Sequence, residues 1–158
     1  MFSQLQLLIV DDSEDDSLLI ARALERENFK LSYKRVDNAA DLSAALDEDQ
    51  WDLIISDYSM PAFSGAQALE ICRQKSFDAP FIIVSGRIGE EVAVDMMKAG
   101  ASDYVMKDDL PRLAPAVNRE LRAAHDRKIR RQAQLAMAHL ASIVETCDDA
   151  IVSQTLDR

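Results

Sequence analysis

Two cysteines stand among 158 residues, Cys72 and Cys147. They are too few and too far apart for a disulfide framework or a metal-binding cysteine pattern. Proline and glycine number four each, which excludes collagen-like, low-complexity and largely disordered chains. No apolar run approaches the ~18 residues of a membrane span. The run Leu7-Leu8-Ile9-Val10 has no basic flank and leads straight into Asp11-Asp12, so it does not read as a signal peptide. Positive charge is also short: 18 Lys and Arg against 28 Asp and Glu give a net charge of -10. That balance argues against a nucleic-acid surface on the folded part. The expectation is a soluble cytoplasmic protein with no membrane contact.

These features are unevenly spread. Residues 1–115 hold 22 acidic and 11 basic side chains, whereas 116–158 hold 6 and 7. Every glycine and proline lies between Pro61 and Pro115. The reading is an acidic folded domain over 1–115, then a tail with no helix breaker. No internal repeat is evident.

Within the first part, short apolar runs recur at Leu5–Val10, Leu53–Ser56, Phe81–Val84 and Tyr104–Met106, with a weaker one at Leu31–Val36. Runs this short, rich in Ile and Val, suit strands buried on both faces of a parallel sheet. Amphipathic stretches separate them. Leu42, Ala45 and Leu46 share one helical face, as do Ala68, Leu69 and Cys72. Ser64 with Gly65 suits a helix start and Gly100 a helix stop. Five strands alternating with five helices predict a doubly wound α/β sandwich with right-handed crossovers. Function in such a sheet gathers at the carboxyl ends of the strands.

Asp11 and Asp12 end the first strand, Asp57 the third, Ser85 the fourth and Lys107 the fifth. Taken singly, each is what a cap, a turn or a solvated surface supplies. Their joint occurrence is the signal. Two carboxylates ~4 Å apart repel by about 4 kcal/mol at an effective dielectric of ~20, so three make about 12 kcal/mol. That rivals the ~5–15 kcal/mol stability of a domain. Such a cluster must spread, protonate or take a cation. Oxygen ligands without histidine suit Mg²⁺ rather than zinc. A carboxylate can also be a nucleophile toward phosphorus. Asp57 is the best candidate, coming alone from the middle strand, and the vicinal pair Asp11-Asp12 is better suited to a metal. Lys107 and the Ser85 hydroxyl supply further contacts to phosphoryl oxygens.

Residues 5–115 resemble the receiver domain of two-component response regulators. The resemblance is carried, in order, by Leu8-Ile9-Val10-Asp11-Asp12, by Asp57-Tyr58-Ser59-Met60-Pro61 with Gly65, by Ile83-Val84-Ser85-Gly86, and by Ala99 to Lys107. It implies a flavodoxin-like five-stranded parallel sheet in the order 2-1-3-4-5, for which a receiver is the standard example. It further implies that Asp57 is the phosphoacceptor. Mg²⁺ is expected to meet the side chains of Asp12 and Asp57, the backbone carbonyl of Ser59, and Asp11 through water. Ser85 is the expected switch hydroxyl, Tyr104 the switch aromatic and Lys107 the partner of a phosphoryl oxygen. The implied donor is a sensor histidine kinase or a histidine phosphotransfer protein. Two departures stand out. Asp108 follows the lysine where most relatives carry Pro, and Ser replaces the commoner Thr at 85. Arg87, two residues past Ser85, is a candidate for pairing with the phosphoryl group.

From Ala116 to about Asp149 nothing interrupts a helix, some 50 Å at ~1.5 Å per residue. Val117, Leu121, Ile129, Ala133, Ala136, Leu140 and Ile143 lie roughly along one stripe. Residues 116–140 are therefore read as a helical linker, with a coiled-coil homodimer as one use of it. The basic run Arg127-Lys128-Ile129-Arg130-Arg131 reads as a solvated face. Residues 141–158 resemble the opening of a PAS sensory domain, through Leu140 to Glu145, Asp148 to Ser153 and Thr155-Leu156-Asp157. They are too few to bury a core of their own, so the expectation is the truncated start of a domain leading to a downstream output domain in a longer protein. Neither His125 nor His139 stands in the setting of a kinase histidine.

Three rivals stay open from the residues alone. A Mg²⁺-dependent phosphatase with an aspartyl-phosphate intermediate would want Asp-x-Asp after the first strand, against Asp11-Asp12-Ser13. An FMN module would want a Ser/Thr/Gly-rich first loop, against the acidic 11–16. The third is a domain of this fold used only as a scaffold.

Overall fold

A computed structural model describes the backbone of residues 4–86 and 89–156, and side chains as far as residue 140. Five strands, β1 (Leu5–Val10), β2 (Leu31–Val36), β3 (Leu53–Ser56), β4 (Phe81–Ser85) and β5 (Asp103–Met106), form one parallel sheet ordered β2-β1-β3-β4-β5. This is the flavodoxin-like order. Between them run α1 (Glu14–Glu25), α2 (Ala39–Glu48), α3 (Gly65–Gln74) and α4 (Glu90–Ala99). A 3-10 segment (Lys107–Arg112) then leads into α5 (Leu113–Leu156).

The helices start where the sequence supplies caps. Ser13, Asn38 and Ser64 each accept a hydrogen bond from the backbone N–H three residues on, and Ser64 with Gln67 completes a capping box. Gly100 closes α4 at φ 120°, a left-handed position that a side chain would strain.

Strand alternation divides the core in two. Leu8, Val10, Ile54 and Ile83 face α2, α3 and α4, through Leu42, Ala68 and Met96 among others. Leu7, Ile9, Ile55, Ile82 and Val105 face the other way, onto Ile20 and Leu24 of α1 and Val117 and Leu121 of α5. The central strands β1, β3 and β4 are buried on both faces, as a parallel sheet between helix layers requires.

The first compact unit runs through Arg122, beyond the boundary expected at 115. Pro115 does not break the chain there. It sits in the first turn of α5, where a missing N–H costs nothing. The upper residues of the apolar stripe, Val117 and Leu121, are spent in this unit's own core. The second unit, Ala123–Arg158, is helical through Leu156, and Ile129, Leu135, Met137 and Leu140 are exposed on it. The side chains of the PAS-like stretch 141–158 lie outside the described residues, as does Arg87. Among the described residues no helix is long and apolar enough to cross a membrane.

Candidate functional site

The carboxyl ends of β1, β3 and β5 bring three acids and a lysine together. One carboxylate oxygen from each of Asp11, Asp12 and Asp57 lies within 4.8 Å of the others. Asp11 and Asp57 are buried and Asp12 is exposed. The register explains the convergence: Val10 pairs with Ser56, so Asp11 and Asp57 leave adjacent strands at the same level, and Asp57 N–H donates to Val10 O at 2.8 Å. At about 4.8 Å and an effective dielectric of ~20, each carboxylate pair repels by roughly 3–4 kcal/mol.

Lys107, the first residue after β5, partly offsets this repulsion. Its Nζ lies 3.3 Å from Asp11 Oδ2, 3.3 Å from Asp57 Oδ2 and 2.7 Å from Asp16 Oδ2. Burial disfavours its charge, but the hydrogen bond to Asp16 and the charges of Asp11 and Asp57 outweigh burial and raise its pKa above the ordinary lysine value. One ammonium does not balance the set. Burial pushes the Asp11 carboxyl up to about 6, with Asp57 adding in the same direction, against the Ser13 N–H bond and the Lys107 charge. A buried carboxyl held this high beside two other carboxylates is a donor set short of positive charge. All its side-chain ligands are hard oxygens, which fits Mg²⁺.

Contacts from α3 and from β2 hold this arrangement in place. An added Cβ at Gly65 would lie 2.7 Å from the Asp57 carbonyl oxygen and 2.9 Å from Tyr58 Cα, and Gly65 N–H donates to Tyr58 O at 2.9 Å. The start of α3 is thus packed directly on the backbone of Asp57, a fit only glycine allows. On the other side Arg35 donates to the Asp11 carbonyl at 3.1 Å and to Glu14 at 3.2 Å.

Of the residues named from sequence, Asp11, Asp12, Asp57 and Lys107 converge. Ser85 is buried at the end of β4, level with Met106, and the neighbouring Gly86 abuts the Lys107 chain. Ser59 is exposed in the loop after β3. Tyr104 is half-buried and lines an open groove of about 500 Å³ with Glu90, Ala93, Val94, Met97 and Lys98. The Arg112 guanidinium stands 5.7 Å over its ring, and Arg112 and Arg119 both pair with the buried Asp103. Asp16, Gly65's packing role and Arg35 were not singled out by sequence. No sequence signal marks Asp16, because Asp12 precedes the Ser13 cap and shares no helical face with it.

The family model of the response regulator receiver domain matches residues 7–118. The chain belongs to the response regulator receiver family. Receivers of this family are phosphorylation-controlled switches that bind Mg²⁺ at an acidic pocket. This receiver is 31% identical over 112 residues to the transcriptional regulatory protein ResD of Bacillus subtilis, covering 70% of this chain and 45% of that protein. It is 28% identical over 117 residues to the chemotaxis protein CheY of the same organism, covering 73% of this chain and 97% of that one. The crystal structure of the signal receiver domain of a signal transduction histidine kinase from Syntrophus aciditrophicus superposes with a TM-score of 0.63 at 26% identity. That match covers 75% of this chain and 91% of the other. The receiver chain spans less than half the length of several curated relatives, 45% for ResD and 20% for the NtrC regulator of Proteus hauseri.

Proposed function

We propose that this receiver is the phosphoacceptor of a two-component phosphorelay, taking a phosphoryl group on Asp57 from a sensor histidine kinase or a histidine phosphotransfer protein. The observation that carries this reading is the single ammonium of Lys107 at 3.3 Å from both Asp57 and Asp11, two buried carboxylates on neighbouring strands.

An Asp57 carboxylate oxygen attacks the phosphorus of a phosphohistidine. A P–O bond forms as the P–N bond breaks, and the electron pair leaves with the imidazole nitrogen. The product is an acyl phosphate. Lys107 holds one phosphoryl oxygen through a charge-assisted bond, and the Ser85 hydroxyl donates to another. Mg²⁺ would be held by Asp12, Asp57 and the Ser59 carbonyl, with Asp11 through water, and when bound it neutralises charge on the phosphoryl oxygens. As Ser85 moves toward the phosphoryl group, the half-buried Tyr104 ring turns inward. That turn changes the groove beside α4.

The tail completes the reading. Residues 116–140 link the receiver to an output, those beyond Arg122 pairing with a second copy through Ile129 and Leu140. Residues 141–158 open a PAS-like module, and the protein works in the cytoplasm. Sedimentation of the full chain against residues 1–122 tests the pairing: a dimer only for the full chain supports it.

The test of the central claim is incubation with Mg²⁺ and acetyl phosphate. Wild type should gain one phosphoryl group by mass spectrometry, removable by hydroxylamine, and Asp57→Asn should gain none. Equal labelling of the two proteins would dispose of the assignment. Steady phosphate release from small phosphoesters would instead favour the phosphatase reading.

A further inference from the structure

The shortest contact of Lys107 is not to either buried acid. It is to Asp16 Oδ2, at 2.7 Å against 3.3 Å for Asp11 and Asp57. Asp16 lies in the first turn of α1, where its backbone N–H donates to the Ser13 cap. Its side chain is 36% exposed, against 1% for Asp11 and 8% for Asp57. It stands outside the trio of carboxylates that cluster as a metal set.

An ammonium has three N–H donors and no more. Here Lys107 makes three hydrogen bonds, to Asp11, Asp16 and Asp57. An incoming phosphoryl oxygen must therefore displace one of them. A divalent cation held by Asp12 and Asp57, with Asp11 through water, would weaken the contacts to Asp11 and Asp57 by neutralising the acids. The contact to Asp16, beyond the metal set, stays at full strength.

We propose that Asp16 is a positioning residue that latches Lys107, drawing its ammonium toward the exposed rim of the pocket and competing with the phosphoryl group for it. This rests on the reading of Lys107 as the phosphoryl partner. Two consequences follow. With Asp16 in place, the lysine charge is partly withdrawn from Asp11 and Asp57, which leaves them freer for a cation. Without it, the lysine settles on those acids and resists the cation, yet meets a phosphoryl oxygen without a rival.

A purely through-space charge effect would also weaken the cation and tighten the anion, so the test must show that the effect runs through Lys107. Beryllofluoride serves as the phosphoryl mimic at saturating Mg²⁺, and Mg²⁺ alone is titrated by calorimetry. Asp16→Ala should tighten beryllofluoride roughly five-fold and weaken Mg²⁺ roughly three-fold, as expected for a partly exposed ion pair. Asp15→Asn removes a charge from the same helical turn, away from Lys107, and should change neither. In a Lys107→Met background, Asp16→Ala should leave Mg²⁺ affinity unchanged, because the latch has nothing to hold. An Asp15→Asn effect equal to that of Asp16→Ala overturns the latch, as does a Mg²⁺ effect that persists without Lys107. A wild-type chain that binds no beryllofluoride would overturn the underlying reading and the latch together. A normal wild-type response with Asp16→Ala unchanged would overturn the latch alone.

Discussion

Lys107 and Asp57 come from strands β5 and β3, with β4 between them, and their charged atoms meet at 3.3 Å. The lysine spans β4 because its strand ends flush with Ser85 and its stem runs over Gly86.

Lys107→Met should therefore have opposite effects on metal and phosphoryl binding. Without the ammonium the acids are less compensated, and metal-free stability should fall by about 2 kcal/mol. That is less than the ~3–5 kcal/mol of a fully buried pair, since Lys107 keeps 22% exposure. Mg²⁺ affinity should rise, having lost a competitor, while phosphorylation by acetyl phosphate should fall by roughly 10²-fold or more. Denaturant melts with and without Mg²⁺, beside labelling rates, measure all three. A variant that labels at the wild-type rate would remove Lys107 from the chemistry.

Gly65→Ala tests whether the α3 start sets the position of Asp57. Its Cβ would fall 2.7 Å from a backbone oxygen rather than from a side chain that can swing away. The cost should be about 1–3 kcal/mol of stability, typical of overpacking. Labelling of Asp57 should slow beyond what partial unfolding explains. Crystallography of the variant should show the Asp57 backbone displaced; an undisturbed backbone with normal labelling would mean the loop yields freely.

Cys72 is buried against α3's neighbours, and burial raises its thiol pKa from 9.0 to about 12. In a Cys147→Ser background the native protein at pH 8 should hold only about one part in ten thousand of that thiol as thiolate. Iodoacetamide should then modify Cys72 only at the rate of unfolding, and in denaturant at once. Fast native labelling would show that the α3 face opens readily.

The parts of this fold that were legible in sequence are those whose burial leaves no choice of residue. Leu53–Ser56 and Phe81–Ser85 are buried at every position, so their apolar runs are unbroken. Leu31–Val36 gave a weak signal because it is an edge strand whose Ser32, Tyr33 and Lys34 face solvent. Asp11, Asp57, Ser85 and Lys107 stand out because each sits at or just past the carboxyl end of a strand. Asp16 does not. It lies within an acidic first turn, Glu14-Asp15-Asp16, that any helix N-terminus would favour, so only the fold distinguishes it from its neighbours. The charge shift near 115 does not mark the end of packing, because Pro115 is harmless in the first turn of α5 and the helix continues through it.

The Asp11 carboxyl gives the site a pH dependence whose sign can be worked out. Its folded value, about 6, lies above the ordinary 3.8, so the folded state binds the proton more tightly than the unfolded one. In the absence of metal, stability is then greatest below pH ~4 as far as this group is concerned and declines as pH rises through ~6. The full decline is on the order of 3 kcal/mol. Asp11→Asn should abolish this slope and make the metal-free protein more stable than wild type at pH 8. Mg²⁺ competes with the same proton, so its stabilisation of the wild type should grow from pH 5 to pH 7 and then level off. Melting at fixed denaturant across that range, with and without Mg²⁺, reads both slopes. Metal-free stability that rises between pH 4 and 6 in wild type, but not in Asp11→Asn, would show that Asp11 is charged and satisfied without a cation, and that the pocket has no deficit for Mg²⁺ to fill.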